Sequence, residues 1–262
     1  MKWIDISHYQ NESGKIDWNK VKADGVEGVM VKATEGITWT DKYFYENVKD
    51  ARSAGLYVGA YHYTYADTVE IAEKEAAFFL NYIKGLKLDV VSLDAEYPKA
   101  KGNLSVVINA FMGRIKDRAN KVWLYTYPYW AKDHLDKSVT KWDLWIAHYG
   151  VDKPTLFYWD KYVAWQYTST GKINGIVGEV DVNKVLVGFQ GSSNPPINNN
   201  DMYKVNKAVS GYFTAADAKA KKNKMTTVKP GTYYVYNKSA GMINVTTQKG
   251  VPGSWINPAD NK

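Results

Sequence analysis

The sequence contains no cysteine, which rules out a disulfide framework and any thiolate metal site. Histidine is scarce, and His8, His62, His134 and His148 lie far apart, a poor basis for a zinc centre. No uninterrupted apolar run exceeds "AAFFL", far short of the roughly 20 residues that cross a bilayer, so no membrane partner is expected. GxGxxG and GxxxxGK[ST] are missing, and with them the usual phosphate cradles of nucleotide binders. The opening "MKWIDISHYQ" puts Asp5 inside what would have to be an apolar stretch, so no secretory signal peptide is expected.

What is present is 262 residues with 45% hydrophobic content, enough for one large domain with a small companion or for two medium ones. Aromatic residues reach 15%, with 21 Tyr and 10 Trp. Their flat apolar faces and polar tips suit sugar rings as well as packed cores. Charge is uneven. Residues 201–262 carry ten Lys, three Asp and no Arg or Glu, so the whole +7 of the chain sits there and the rest balances. Such a tail suits an anionic partner (nucleic acid, anionic lipid or a wall polymer), or it is simply a solvated face.

From residue 3 to about 188, short β-like runs alternate with amphipathic helical ones. "WIDIS", "GVMVKATEG", "LYVGAYHYTYA" and "DVVSLDAE" read as strands. Between them "DWNKVKADG", "DKYFYENVKDARSAG" and "TVEIAEKEAAFFLNYIKG" have helical spacing, the last opening on Thr68 and closing on Gly85. A further helix, "NLSVVINAFMGRIKDRAN", follows. After it "KVWLYTYPYW", "DLWIAHYG", "YVAWQYTST" and "GEVDVNKVL" read as strands with little helix between them. The pattern predicts an α/β fold, a parallel TIM-like barrel of eight strands and about five helices over residues 1–190. A doubly wound open sheet is the alternative. "GFQGSSNPPINNND" reads as a linker, placed at 191–203. Residues 204–262, with short alternating runs and Pro-Gly turns, predict a small all-β module, closed or nearly so.

Alternation within strands then selects candidate site residues, because side chains at i and i+2 share a face. In "VVSLDAEYP" (90–98), Asp94 and Glu96 point the same way while Ala95 faces the helices. In a parallel barrel that shared face is the lumen, and the C-terminal strand ends carry the active site. Two carboxylates so placed suit glycoside hydrolysis, one protonating the leaving oxygen and the other stabilising positive charge at the anomeric carbon. A pair of solvated loop acids is the plainer alternative. The same parity brings Asp5, Lys32, Tyr61 with Tyr63, Tyr125, Gln166 and Asp181 to other strand ends, and turns His62 outward. Lys32 is either a partner that orients Asp5 or simply a charged strand end.

"DISHYQ", "VKATEG", "AGLYVGAYHY", "DAE", "WIAHY", "WQYTSTGKINGI" and "VDVN" resemble the glycoside hydrolase family 25 lysozymes, in order and with consistent spacing over residues 3–189. The resemblance implies a muramidase that cleaves the β-1,4 bond from N-acetylmuramic acid to N-acetylglucosamine with retention and without a cofactor or metal. It implies Glu96 as general acid, Asp94 as its partner carboxylate, Asp5 as a third essential carboxylate and Asp181 as a fourth acid in the pocket. Tyr61, Tyr63, Tyr125, Gln166 and Lys32 are the expected substrate-binding residues.

The tail, in "YFTAADAKAK" and "PGTYYVYNKSAGMINVT", resembles the SH3-like wall-binding modules of endolysins from phages of Gram-positive hosts. That implies peptidoglycan and an anionic wall polymer as partners rather than nucleic acid. It also implies a cytoplasmic enzyme released late to lyse the wall, and leaves room for self-association through the tail. Met202 would serve as an internal start for a free tail module. A bacterial autolysin, an inactive wall binder and a chitinase-like enzyme are the competing readings.

Overall fold

The computed structural model describes residues 1–189, 202–212, 214–247 and 253–261. The chain divides into two compact units, Met1–Phe189 and Gln190–Lys262. Most of the linker expected over 191–203 lies outside the described residues. Met202 and Tyr203 belong to a strand, so strand structure in the second unit starts two residues before the expected position 204.

In the first unit the strands are β1 (Lys2–Ile6), β2 (Gly28–Glu35), β3 (Trp39–Thr40), β4 (Tyr57–Tyr63), β5 (Val90–Asp94), β6 (Lys121–Thr126), β7 (Asp143–Ala147), β8 (Ala164–Gly171) and β9 (Val180–Val185). Their order is β1-β9-β8-β7-β6-β5-β4-β2, closed by β1 pairing with β2, while β3 is a two-residue antiparallel flap on β2. This is the expected eight-stranded barrel with one correction. β9 runs antiparallel to both neighbours. Residues 172–179 alone join β8 to β9, and a parallel return needs a crossover of a dozen residues or more.

The helices are α1 (His8–Ser13), α2 (Trp18–Ala23), α3 (Phe44–Ser53), α4 (Val69–Tyr82), α5 (Ser105–Ile115) and α6 (Pro128–His134). Two of the six are not among the expected helices: α1 buries none of its residues and so has no apolar stripe, and α6 lies within "KVWLYTYPYW", which reads as a strand. "KVWLYTYPYW" is not one strand. It ends at Thr126, and Pro128, with its fixed φ and no N–H to satisfy, opens α6. Asp17 caps α2 by accepting from Lys20 N at 3.2 Å, and the Thr68 hydroxyl caps α4 by accepting from Ile71 N at 3.3 Å.

The barrel is filled rather than hollow below its mouth. Trp3, Met30, Tyr61, Val90, Trp123 and Trp145 pack into one buried cluster in its interior. Phe189 stacks on Trp3 and meets Tyr57 at a tilt, with 5.0 Å between ring centroids in each case. Gly59 is what admits Met30. A Cβ there would lie 2.2 Å from Met30 Sδ and 3.1 Å from Val90 Cβ. Gly59→Ala is therefore expected to cost about 1–3 kcal/mol of unfolding free energy, measurable by urea titration, since overfilled interiors pay in displaced side chains.

Outside the strands a buried polar knot ties β2, β4 and α4 together. Glu75, 1% exposed, accepts from the Thr64 hydroxyl at 2.5 Å and from Tyr65 N at 3.1 Å, and lies 3.1 Å from His62 Nε2. His62 Nδ1 in turn lies 2.7 Å from the Thr34 hydroxyl. The ring stacks on Phe111 at 5.0 Å, as the outward parity of His62 predicts. The knot fixes the chain just past the end of β4, next to the barrel mouth.

The second unit holds β10 (Met202–Val205), β11 (Val209–Tyr212), α7 (Ala215–Ala220), β12 (Lys224–Val228), β13 (Gly231–Ser239), β14 (Met242–Thr246) and β15 (Ser254–Ile256). The strands form one antiparallel sheet in the order β10-β13-β14-β15-β11-β12. The expected all-β composition needs correcting. "TAADAKA" forms helix α7, capped where the Thr214 hydroxyl accepts from Asp217 N at 3.0 Å and ended by Lys221 in the left-handed region at φ 53°. Val205, Val209, Val228, Val245 and Ile256 make its small core. No pairing joins the sheet's outer strands, β10 and β12, among the described residues.

Candidate active site

β5, "VVSLD", is buried along its whole length and ends on Asp94. Its hydrogen bonding does not stop there. Thr64 N donates to Asp94 O at 3.1 Å and Ala95 N donates to Tyr125 O at 2.9 Å. The alternation therefore continues one step beyond the strand: Ala95 is fully buried, and Asp94 and Glu96 both line one cavity of about 260 Å³ at the barrel mouth. Asp94 lies in register with Tyr63 of β4 and Tyr125 of β6, and Asp5 with Asp181 of β9. The cavity gathers Asp5, Asp94, Glu96 and Asp181 with Tyr61, Tyr125 and Gln166. Trp145 and Tyr149 line it as well, although alternation alone did not select them.

Asp5 is the most firmly held of the four acids. Gln166 Nε2 donates to its two oxygens at 3.0 and 2.9 Å, and Asn183 Nδ2 donates to Oδ2 at 2.7 Å. Each amide is itself oriented. Gln166 Oε1 accepts from the Tyr125 hydroxyl at 3.0 Å and from Tyr149 at 2.5 Å, while Asn183 Oδ1 accepts from Trp145 Nε1 at 2.6 Å. Asn183 was legible in principle, since it stands two residues after Asp181 and shares its face.

Asp94 differs from Asp5. Its Oδ1 is buried and accepts no hydrogen bond from the described residues. Burial, then the neighbouring Glu96 charge, pushes its carboxyl well above the usual range, with Lys32 opposing. Glu96 is also raised, by burial and then by Asp5, against hydrogen bonding from Tyr125. Burial raises Asp5 to about 6 despite its two amide partners. Asp181 is raised to about 8 by burial and then by the charges of Asp5 and Glu96. Four carboxylates in so small a space do not all ionise near neutral pH. The site therefore holds protonated and ionised carboxyls side by side, which general acid and base work requires.

Tyr63 and Lys32 are not among the residues that line the cavity. Lys32 Nζ lies 4.8 Å from the Tyr63 ring centroid and 5.2 Å from that of Trp39. Its ion-pair partner is Glu35 at 2.5 Å, not Asp5. The reason is a bulge in β2 between Lys32 and Thr34. It turns Thr34 outward to His62 and brings Glu35 back alongside Lys32.

A family model of glycosyl hydrolases family 25 matches residues 4–176. The chain belongs to that family. Among curated relatives of this family 25 chain, an autolytic lysozyme of Clostridium acetobutylicum is 37% identical over 192 residues, which are 72% of this chain and 57% of that protein. Lysozyme M1 of Streptomyces globisporus is 32% identical over 207 residues, 72% of this chain and 68% of that one. The chain thus spans little more than half of the first of these lysozymes. Among solved structures, the CTP1L endolysin, whose activity is regulated by a secondary translation product, superposes with a TM-score of 0.65 at 34% identity, over 70% of this chain and 66% of that one. The bacterial lysozyme of Streptomyces coelicolor gives 0.63 at 32% identity, over 74% and 93%. An enzyme of this family is a glycoside hydrolase, and the acid-lined cavity at the barrel mouth is where such chemistry fits.

Proposed function

We propose that the protein is a lysozyme that hydrolyses the β-1,4 bond from N-acetylmuramic acid to N-acetylglucosamine in peptidoglycan, with retention. The observation that carries this reading is the convergence of Asp94 and Glu96 from one strand end into a cavity shared with Asp5 and Asp181. Glu96 gives its proton to the glycosidic oxygen as the C–O bond breaks, then, as carboxylate, takes a proton from the water that attacks the anomeric carbon. Asp94 stabilises the oxocarbenium-like centre, either attacking it directly or orienting the substrate's own acetamido group to do so. Asp5, fixed by Gln166 and Asn183, and Asp181 set the field around the reacting sugar. Tyr61, Tyr63, Tyr125, Gln166 and Lys32 hold the neighbouring rings.

Mass spectrometry of fragments released from Gram-positive walls tests the reading. New reducing ends are expected on muramic acid. Release of sugars from chitin oligomers without new muramic acid ends would replace it with a chitinase-like activity, and no fragments at all would leave a wall-binding protein.

For the second unit the proposal is an SH3-like wall-binding module whose lysines grip an anionic wall polymer. Sedimentation of the full chain with purified walls is expected to weaken as salt rises from 50 to 500 mM, because exposed charges are screened within roughly 8 Å near physiological salt. Binding indifferent to salt would assign the grip to aromatic and hydrogen-bond contacts. The endolysin and autolysin relatives support two settings for one chemistry, phage release after cytoplasmic accumulation or turnover of the cell's own wall. The +7 tail and the strand that begins at Met202 are compatible with a separately translated or self-associating tail; a single band from the expressed gene would exclude the former.

A further inference from the structure

Beside the carboxylate cavity lies a larger one of about 500 Å³, built from the segments that follow β4 and β5. Tyr65, Asp67, Tyr97, Lys99, Lys101 and Trp130 are among its walls. Three tyrosines lead from the acids to this cavity. Tyr63, within the field of Asp94 and Glu96, meets Tyr65 edge-on at 5.2 Å, and Tyr65 meets Tyr97 edge-on at 4.9 Å. Tyr97 is also the residue after Glu96.

Both walls are held in place. On one side, Glu75 grips the Thr64 hydroxyl and Tyr65 N. On the other, Trp130 Nε1 donates to Tyr97 O at 3.0 Å, Ala100 N donates to the same oxygen at 3.1 Å, and His134 Nδ1 lies 3.0 Å from Gly102 O. A groove fixed in this way loses little entropy when it is filled.

Its charge is opposite to that of its neighbour. The first cavity concentrates four carboxyls. The second presents Lys99 and Lys101 against the single acid Asp67, and neither lysine pairs with a carboxylate among the described residues. A polymer lying across the mouth would therefore meet repulsion for its anionic substituents over the acids and attraction over the lysines. In peptidoglycan the anionic substituent is the peptide on the lactyl group of muramic acid, with its free carboxylates.

We infer that this groove is a binding site for the anionic stem peptide of a muramic acid residue next to the cleaved bond, with Lys99 and Lys101 receiving its carboxylates and Tyr65 and Tyr97 its apolar parts. The inference rests on the muramidase reading and sharpens it: the preferred substrate is peptide-bearing glycan rather than bare glycan.

The test measures release of reducing ends by the full chain on three soluble muramyl glycans: with free stem peptides, with the peptide carboxylates amidated, and with the peptides removed by an amidase. Wild type is expected to show a KM about three- to tenfold lower for the first than for the other two, the range that one or two exposed charge pairs supply. Lys99→Ala combined with Lys101→Ala is expected to erase that difference while leaving kcat/KM on the peptide-free glycan unchanged. Equal KM values on all three substrates in wild type would overturn the inference but not the muramidase reading, and so would an equal loss on all three in the double variant. Release of reducing ends from none of the three would overturn both. A preference that survives amidation would assign recognition to the tyrosines and refute the role given to the lysines.

Discussion

Glu96→Gln is expected to lower glycan hydrolysis by at least about 10²-fold, and by as much as about 10⁴-fold, the range that general acid catalysis contributes. The amide keeps the shape and most of the hydrogen bonding of the acid but has no proton to deliver to the departing oxygen. Folding should survive, because Glu96 is only partly buried and stands one step past the end of β5, where Ala95 rather than Glu96 carries the main-chain pairing. The raised proton affinity of Glu96 is what keeps it in acid form toward neutral pH, and its cause is burial together with the charge of Asp5. A turbidity assay on purified walls, with circular dichroism to verify the fold, decides the matter. Lysis near the wild-type rate would move the acid role to another carboxyl of the cavity.

Asp94→Asn is expected to act in two opposite directions. Activity should fall by about 10²-fold or more, because a fixed negative group facing a developing positive centre is worth about that much. Stability should rise. Asp94 is buried, its Oδ1 accepts no hydrogen bond from the described residues, and its proton affinity is raised by burial and by Glu96. A carboxyl whose folded pKa exceeds its unfolded value binds more protons in the folded state. Its stabilising contribution is complete below about pH 4 and is lost as pH climbs through the folded value.

The same sign applies to Asp5, raised from 3.8 to about 6, and to Asp181, raised from 3.8 to about 8. For fully buried Asp5 the cost of ionising in the folded state is of order 3 kcal/mol. These two acids therefore add to the wild-type melting temperature as pH is lowered from 8 toward 5. The advantage of Asp94→Asn should shrink as pH falls, because wild-type Asp94 then regains its proton. Melts of both proteins at the two pH values test this directly. An advantage that grows on acidification would mean that Asp94 is stabilised as an anion, contrary to its surroundings.

Period-two alternation made much of this site legible, because a barrel converts parity into inside and outside. Asp5, Tyr61, Asp94, Tyr125, Gln166 and Asp181 all reach the cavity from strands whose parity assigned them inward. His62 lies on the helix side of the sheet, also as parity assigned it. Parity failed where the backbone breaks its own period. The bulge in β2 separates Lys32 from Thr34 and supplies Glu35 as an ion-pair partner that no regular strand would offer. Asn183, Trp145 and Tyr149 went unselected for a different reason. Their contribution is to aim other side chains, through bonds between distant strands such as Trp145 Nε1 to Asn183 Oδ1 at 2.6 Å; parity places Asn183 on the face of Asp181, but the bonds that give it a role join residues far apart in the sequence. The short helices α1 and α6 and the reversed β9 depend on turn lengths and packing rather than on periodicity.

The reversal of β9 gives the rim one doorway unlike the others. Parallel strands bring their last residues to the mouth, but β9 arrives there with its first, which is how Asp181 at its second position meets Asp5 at the fourth position of β1. The segment over the entrance at that point is a hairpin, residues 172–179, instead of a strand-to-helix passage. Added length in an ordinary rim loop is slack chain. Added length here extends two hydrogen-bonded strands as a stiff ribbon, while the acids of β1 and β5 stay where they are.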